Sequence, residues 1–323
     1  MSILITGAAG FIGYHIIKKN LNNNKKVIGI DNINSYYDID LKKNRVNNLK
    51  KNKNFSFYKV DLSNFKKLNY IVKKNNIKII IHLAAQAGVR YSIKNPRTYF
   101  NSNLEGFFNI LEVSRYNKIK HLIYASTSSV YGDSKKFPLN ENDKTDKPLS
   151  FYAATKKSNE IMAHCYSYVY KLPCTGVRFF TVYGPYGRPD MALFKFTKNI
   201  IDNHPIELFN NGNHLRDFTY VDDVVDGIYS LINKQSKKNI PYEIFNIGNG
   251  TPKKLIDYLK HIEKNLNKVS KIKRLPLQVG DIVKTHSNIN KLKKFTGYRP
   301  KTNIKIGIEK FIEWYKDYYK IKN

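Results

Sequence analysis

The sequence predicts an α/β fold: a doubly wound parallel sheet with a smaller C-terminal substrate-binding lobe. Three observations predict it. Short, nearly continuous apolar segments alternate with amphipathic ones through the first half of the chain. A glycine-rich turn joins the first apolar segment to the first amphipathic one. After Phe180 the alternation loosens into a loop punctuated by Gly184, Pro185, Gly187 and Pro189. Apolar strands without polar alternation belong to a parallel sheet covered on both faces, and strand-helix alternation is how such a sheet is wound.

Taken in order, the strands are expected at residues 2–6, 27–31, 55–60, 79–83, 121–126 and 175–179. Helices are expected between them, including residues 11–22, 65–75, 99–117 and 151–171. Two later pieces, 215–233 and 243–247, again read as sheet and helix, so the chain is expected to weave back into the first domain there. That gives a cofactor domain of residues 1–180 plus about 214–249, and a second lobe of residues 181–213 and 250–323.

Composition narrows the function classes. With 323 residues and 41% apolar composition, the chain can bury a sizeable core and is not disordered. No apolar run approaches the roughly 18 residues of a membrane helix, so no membrane association is expected. A buried strand at Ile3–Ile5 and a functional turn at Gly7 leave nothing upstream that reads as a signal peptide. Cys165 and Cys174 offer neither a metal spacing nor a disulfide framework, so no metal is expected and the compartment is expected to be the cytoplasm. The net charge of +31 comes from lysines spread among asparagines and isoleucines, not from a dense basic run, so no nucleic-acid partner is expected.

The turn at residues 6–13 reads TGAAGFIG. Gly7, Gly10 and Gly13 permit a tight turn, close backbone approach to a pyrophosphate and tight helix-strand packing. The helix N-terminus that follows offers free N–H groups and a positive dipole end. Asp31 ends the second strand about twenty residues on, where a carboxylate suits the ribose diol of NAD and repels a 2′-phosphate. Asp61 and Leu62, after the third strand, suit an adenine contact, although a helix N-cap explains Asp61 as well.

Tyr152 and Lys156 stand at i, i+4 spacing and share one helix face. A phenol is a poor base at its free pKa near 10, and a neighbouring ammonium with a nicotinamide cation would stabilise its anion. Thr127, past the fifth strand, can give a hydroxyl to the same substrate oxygen.

With these residues in view, the chain resembles the extended short-chain dehydrogenase/reductase family, also known as NAD-dependent epimerases/dehydratases, over nearly its whole length. Its longer motifs are most similar to the UDP-glucuronate 4-epimerases. They are DNINSYYD at 31–38, HLAAQAGVRYS at 82–92, NPR at 95–97 and STSSVYG at 126–132, with RFFTVYGPYGRPDM at 178–191, RDF at 216–218 and QVGD at 278–281. Tyr186 departs from the pattern, which has tryptophan there.

The resemblance implies a Rossmann fold, a bound NAD, a UDP-sugar substrate and a homodimer formed through helices 99–117 and 151–171. It implies that Tyr152 is the base, Lys156 its partner and a ribose ligand, and Thr127 the assisting hydroxyl. Cofactor contacts are implied for Gly7, Gly10, Phe11, Ile12 and Gly13, for Asp31, Asn32, Asp61 and Leu62, and for Ala84, Gln86 and Ser126. Phe180 and Asn101 would lie near the nicotinamide. Arg216 and Asp281 would hold the diphosphate and uridine ribose, with a local Arg216–Asp217 ion pair as the alternative.

Related dehydratases carry Asp-Glu after the Thr, and related decarboxylases a Glu in that segment. Here the positions are Ser128 and Ser129, which donate hydrogen bonds but are not acids at neutral pH. The chemistry is therefore expected to stop at C4: oxidation, rotation of the 4-keto sugar and reduction on the opposite face. A 4-keto uronate loses carbon dioxide unless its carboxylate is held. Ser128, Ser129 and Thr181, with Arg188 or Arg90, could hold it by charge-assisted hydrogen bonds, unless Arg188 simply faces solvent. The alternatives are a 4-epimerase of UDP-glucose or a UDP-N-acetylhexosamine, and a catalytically silent NAD or nucleotide-sugar binder.

Overall fold

A computed structural model describes residues 2–321. The first half alternates as expected: β1 (Ser2–Thr6), α1 (Phe11–Asn22), β2 (Val27–Asp31), α2 (Ile39–Lys50), β3 (Phe55–Lys59), α3 (Phe65–Lys74) and β4 (Ile77–His82). Two short helices, α4 (Val89–Lys94) and α5 (Pro96–Tyr99), run into a π-helical turn at Phe100–Glu105 and then α6 (Gly106–Tyr116). There follow β5 (His121–Thr127), a 3₁₀ turn at Ser128–Tyr131, α7 (Phe151–Tyr170) and β6 (Cys174–Phe179).

Beyond Phe180 the elements shorten: β7 (Thr181–Tyr183), α8 (Ala192–Ile201), β8 (Ile206–Phe209), β9 (Leu215–Arg216), β10 (Phe218–Tyr220), α9 (Val221–Leu231) and β11 (Tyr242–Ile247). The chain closes with β12 (Lys253–Lys254), α10 (Leu255–Leu266), β13 (Ile272–Leu275), α11 (Asn290–Thr296) and α12 (Ile304–Tyr319).

Seven strands form one sheet in the order β11-β6-β5-β4-β1-β2-β3, every pair parallel. The order reverses between β1 and β4, and at that switch point the strand ends splay and open a crevice. β5 is buried along its whole length, because helices cover both faces of the sheet. The late strand β11 does return to this sheet, pairing with β6 from Tyr242↔Cys174 to Ile247↔Phe179. Among the described residues no helix is long and apolar enough to cross a membrane.

The helix expected at 99–117 is not continuous. Its first third is the short α5 and the π turn, and regular helix begins only at Gly106. A wider π turn changes which side chains face inward, with consequences for the site.

Candidate functional site

One cleft of about 1120 Å³ opens over the carboxyl ends of β1, β4, β5 and β6. Its first wall is the glycine turn. Gly7 has φ +73°, and a Cβ there would stand 2.8 Å from the Ala84 backbone nitrogen. A Cβ on Gly13 would collide with the Gly7 carbonyl, which is how closely α1 packs on the turn. Gly10 caps α1 with extended backbone and no side-chain hydrogen bond, so the first-turn N–H groups remain for an anion. Phe11 and Ile12 line the cleft beside them.

Asp31 ends β2, with Oδ2 accepting from the Ala9 N–H at 3.0 Å and Oδ1 from the Ile33 N–H at 2.8 Å. Burial raises its pKa, opposed by those N–H groups and by Lys42. Asn32 donates to Asp61 at 2.7 Å, and both line the same edge with Leu62. The cap of α3 is Asn64, which accepts from the Lys67 N–H at 3.0 Å, so Asp61 is not the helix N-cap.

Thr6 links the end of β1 to the next wall. Its hydroxyl bonds His82 Nδ1 at 2.8 Å and accepts from the Ala84 N–H at 3.2 Å. Ala84 and Gln86 then line the cleft, Gln86 held by Asn103 through bonds of 2.8 and 3.0 Å. Asn101, in contrast, is exposed and does not line the cleft. The π turn carries it outward, and the inward asparagine is Asn103, which reaches Gln86 and Thr155. Asn103, Phe107 and Ile110 share one buried face at i, i+4, i+7, a signal legible in the sequence.

The floor comes from β5 and α7. Ser150 caps α7 by accepting from the Ala153 N–H at 3.2 Å, which starts the helix just before Tyr152. Lys156, one turn on, is buried and donates from Nζ to the Ala125 carbonyl at 3.0 Å. Burial alone lowers its pKa to about 8. Burial raises the Tyr152 phenol above its ordinary value, and the groups that pull it back are the Thr127 hydroxyl and the Arg188 guanidinium. Lys156 lies one turn along the helix from Tyr152, with its ammonium directed at the Ala125 carbonyl. Ser126, at the end of β5, donates to Glu160 at 2.7 Å and still borders the cleft. Thr127 and Ser129 bond each other through their hydroxyls at 3.2 Å at the start of the 3₁₀ turn that contains Ser128. Phe180 and Thr181 complete the rim.

Arg188 lines the cleft with its side chain 21% exposed, paired bidentately with Asp190, so it does not face solvent. Arg90 is engaged elsewhere: its guanidinium bonds Asp281 at 2.9 Å and lies 4.5 Å over the Phe209 ring. Arg216 shares that end of the cleft, donating to the Val283 carbonyl at 2.8 Å, its pKa lowered to about 10 by burial. Asp217 faces the opposite way and accepts from the Asn249, Gly250 and Ser287 N–H groups. No Arg216–Asp217 ion pair is therefore formed among the described residues.

Sequence reasoning missed Asp190, Tyr36, Phe209 and His214, all of which line the cleft. Asp190 and Tyr36 lie inside quoted motifs, but their meeting across 154 positions is a product of the fold. Tyr186, the departure from the family pattern, does not line the cleft; it packs between Tyr14 at 4.8 Å and Trp314 at 4.9 Å.

Residues 3–248 match the model of the NAD dependent epimerase/dehydratase family. The chain is 49% identical to Protein CapI of Staphylococcus aureus over 99% of this chain and 100% of that one. It is 41% identical to a probable UDP-glucuronate 4-epimerase of Rhizobium meliloti, over 99% of this chain and 98% of the relative. Among solved structures it is similar to the UDP-glucuronic acid 4-epimerase of Bacillus cereus in complex with UDP-glucuronic acid and NAD, with TM-score 0.93 and 34% identity over 99% of this chain and 100% of that one. A glycine turn shaped for a pyrophosphate, a Tyr-x-x-x-Lys pair on the floor below it and full-length likeness to these proteins agree: the chain belongs to the NAD dependent epimerase/dehydratase family.

Proposed function

We propose that the protein is an NAD-dependent 4-epimerase of a UDP-sugar, and that its substrate is UDP-glucuronate, converted to UDP-galacturonate. The observation that carries this reading is the neighbourhood of Tyr152. Its phenol lies beside hydroxyls and within the field of Arg188, and the turn after Thr127 holds Ser128 and Ser129 in place of acids.

The residues fit NAD: a Cβ-free cradle at Gly7, unspent N–H groups at the start of α1 and a carboxylate at Asp31 where β2 ends. Taking a hydride from C4 and returning it is the chemistry NAD supplies when bound. Tyr152 accepts the proton of the sugar 4-hydroxyl and returns it after the ring turns over. Thr127 steadies the same oxygen, and Lys156 raises the positive potential under it once freed from Ala125. Arg188, Ser128, Ser129 and Thr181 hold the C6 carboxylate, resisting the rotation that would let its electrons flow into a C4 ketone. Arg216, Arg90 and Asp281 take the nucleotide end.

Residues 1–180 with about 214–249 form the cofactor domain, and 181–213 with 250–323 the sugar-nucleotide lobe, a division supported by the return of β11 to the main sheet. The working unit is a homodimer in the cytoplasm. Support for the dimer is an outward apolar row on each of two neighbouring elements: Phe100 and Phe108 from the π turn and α6, Ile161 and Tyr168 from α7.

NMR of separate incubations with UDP-glucuronate and UDP-glucose tests the reading. Faster epimerisation of the uronate, without loss of carbon dioxide, is expected. Faster epimerisation of UDP-glucose overturns the uronate assignment in favour of the neutral-sugar reading. No turnover of either supports a silent binding protein.

A further inference from the structure

The arginine assigned to the sugar carboxylate already holds a carboxylate. Asp190 offers its two oxygens to the Nε and terminal N–H groups of Arg188, the Nε bond being 2.9 Å, in the planar two-point match that guanidinium makes with any carboxylate. Tyr36, from the loop after β2, donates its hydroxyl to the same Asp190 at 3.1 Å. All three line the cleft, the Arg188 and Asp190 side chains being only 21% and 27% exposed.

The backbone beneath this pair is fixed from the cofactor side. Arg45, fully buried on α2, donates to the Ala9 carbonyl at 2.8 Å and to the Tyr186 and Gly187 carbonyls at 2.6 and 3.2 Å. The Arg188 loop is thereby bolted to the glycine turn, leaving the guanidinium's partner as the simplest thing to change.

We propose that Asp190 is a specificity-determining residue, an internal stand-in for the carboxylate of a UDP-hexuronate. It neutralises Arg188 while the cleft is empty or holds a neutral sugar, and cedes part of the guanidinium when a uronate arrives. The proposal rests on the uronate reading above.

Two consequences separate this role from mere loop support. A uronate competes with Asp190 for donors, and a neutral sugar does not. Asp190 also offsets, at short range, the positive charge that Arg188 presents to Tyr152. The groups facing that phenol are Thr127, Arg188 and, edge-on at 6.1 Å, Tyr99, with Lys156 on its own helix. Removing only the Asp190 charge leaves Arg188 more positive toward Tyr152 and makes the phenolate easier to form.

The experiment compares the NAD-loaded wild type with Asp190→Asn and Asp190→Ser, using UDP-glucuronate and UDP-glucose across pH, with thermal melting as a check on folding. Loss of a charged competitor should lower KM for UDP-glucuronate roughly three- to tenfold and leave that for UDP-glucose within about twofold. The acid limb of kcat/KM for UDP-glucose should move to lower pH. Parallel rises of both KM values, or an acid limb that stays in place, overturn the proposal. Failure of both variants to fold assigns Asp190 to loop stability and overturns it as well. The limb measured with the neutral sugar separates this test from the uronate reading, which falls instead if wild type prefers UDP-glucose.

Discussion

The reaction proposed above asks the Tyr152 phenol to take a proton near neutral pH, while its burial makes that harder. The Thr127 hydroxyl and the Arg188 charge oppose burial. The cationic nicotinamide of bound NAD would add to them in the proposed reaction. A raised base pKa sets the sign of the pH dependence: kcat/KM rises with pH as the phenol ionises and falls away below that pKa. Tyr152→Phe keeps the ring and its edge contact with Tyr99, so the melting temperature should hold. Turnover should drop roughly 10²–10⁴-fold, measured by coupled assay or NMR, and a near-normal rate would remove Tyr152 from the mechanism. Asp31→Ala should weaken NAD and relax the exclusion of NADP, read by titration calorimetry; a wild type that prefers NADP contradicts this view of the pocket. Arg188→Ala should raise KM for UDP-glucuronate about ten- to a hundredfold, while barely touching that for UDP-glucose.

Among the elements, α7 bears Tyr152 and Lys156, and a buried ion pair fixes its position. Glu160, one turn past Lys156, accepts from Arg178 Nε at 2.8 Å and from its terminal nitrogen at 2.9 Å, and also from Ser126 at 2.7 Å. Helix α7, strand β5 and strand β6 thus meet at one carboxylate, with both ionic side chains 2% exposed. Burial raises the Glu160 pKa, but Arg178 and Ser126 outweigh it, and the net value is lowered. A depressed carboxylate stabilises the fold above its unfolded pKa, and that contribution fades as pH falls through the folded value. Glu160→Gln leaves Arg178 charged and buried without its counter-ion and should cost about 3–5 kcal/mol. Denaturant melts at neutral and acid pH would read it, the gap between variant and wild type closing in acid. Much of this frame was legible in the sequence. Strands β1 and β2 begin and end where alternation and flanking turns place them, and β3 to β6 differ by one or two residues. Helix α2 was not read, because Ile39–Lys50 is so polar that burial of Leu41, Val46 and Leu49 shows only in three dimensions. The break at Phe100–Glu105 was missed because periodicity assumes one helical pitch, and the π turn leaves Asn101 exposed while Asn103 is buried.

At the scale of the whole molecule, the glycine turn and the Tyr-x-x-x-Lys pair could be read locally, but the pairing of charges could not. Arg90 meets Asp281 across 191 positions, and Tyr36 meets Asp190 across 154, so sequence alone left Arg188 and Arg90 as alternatives for one carboxylate. The outer surface adds a further argument. On α7, Ile161, Cys165 and Tyr168 stand at i, i+4, i+7 and are all exposed, and Phe100 and Phe108 project from the adjoining segment. The two helices are tied at one end, where Arg115 lies over the rings of both Tyr116 and Tyr170 and Tyr166 donates to Glu112 at 2.7 Å. In the homodimer proposed above, a two-fold axis would bring these apolar rows together as a four-helix bundle between subunits. A net charge of +31 opposes association through long-range repulsion, which salt screens. The dimer should therefore tighten as ionic strength rises, the reverse of an assembly held by ion pairs. Sedimentation at micromolar concentration should give a mass near twice 37.6 kDa, and Ile161→Glu combined with Phe108→Glu should yield monomer at any salt. A wild type that stays monomeric in high salt would exclude this face as the interface.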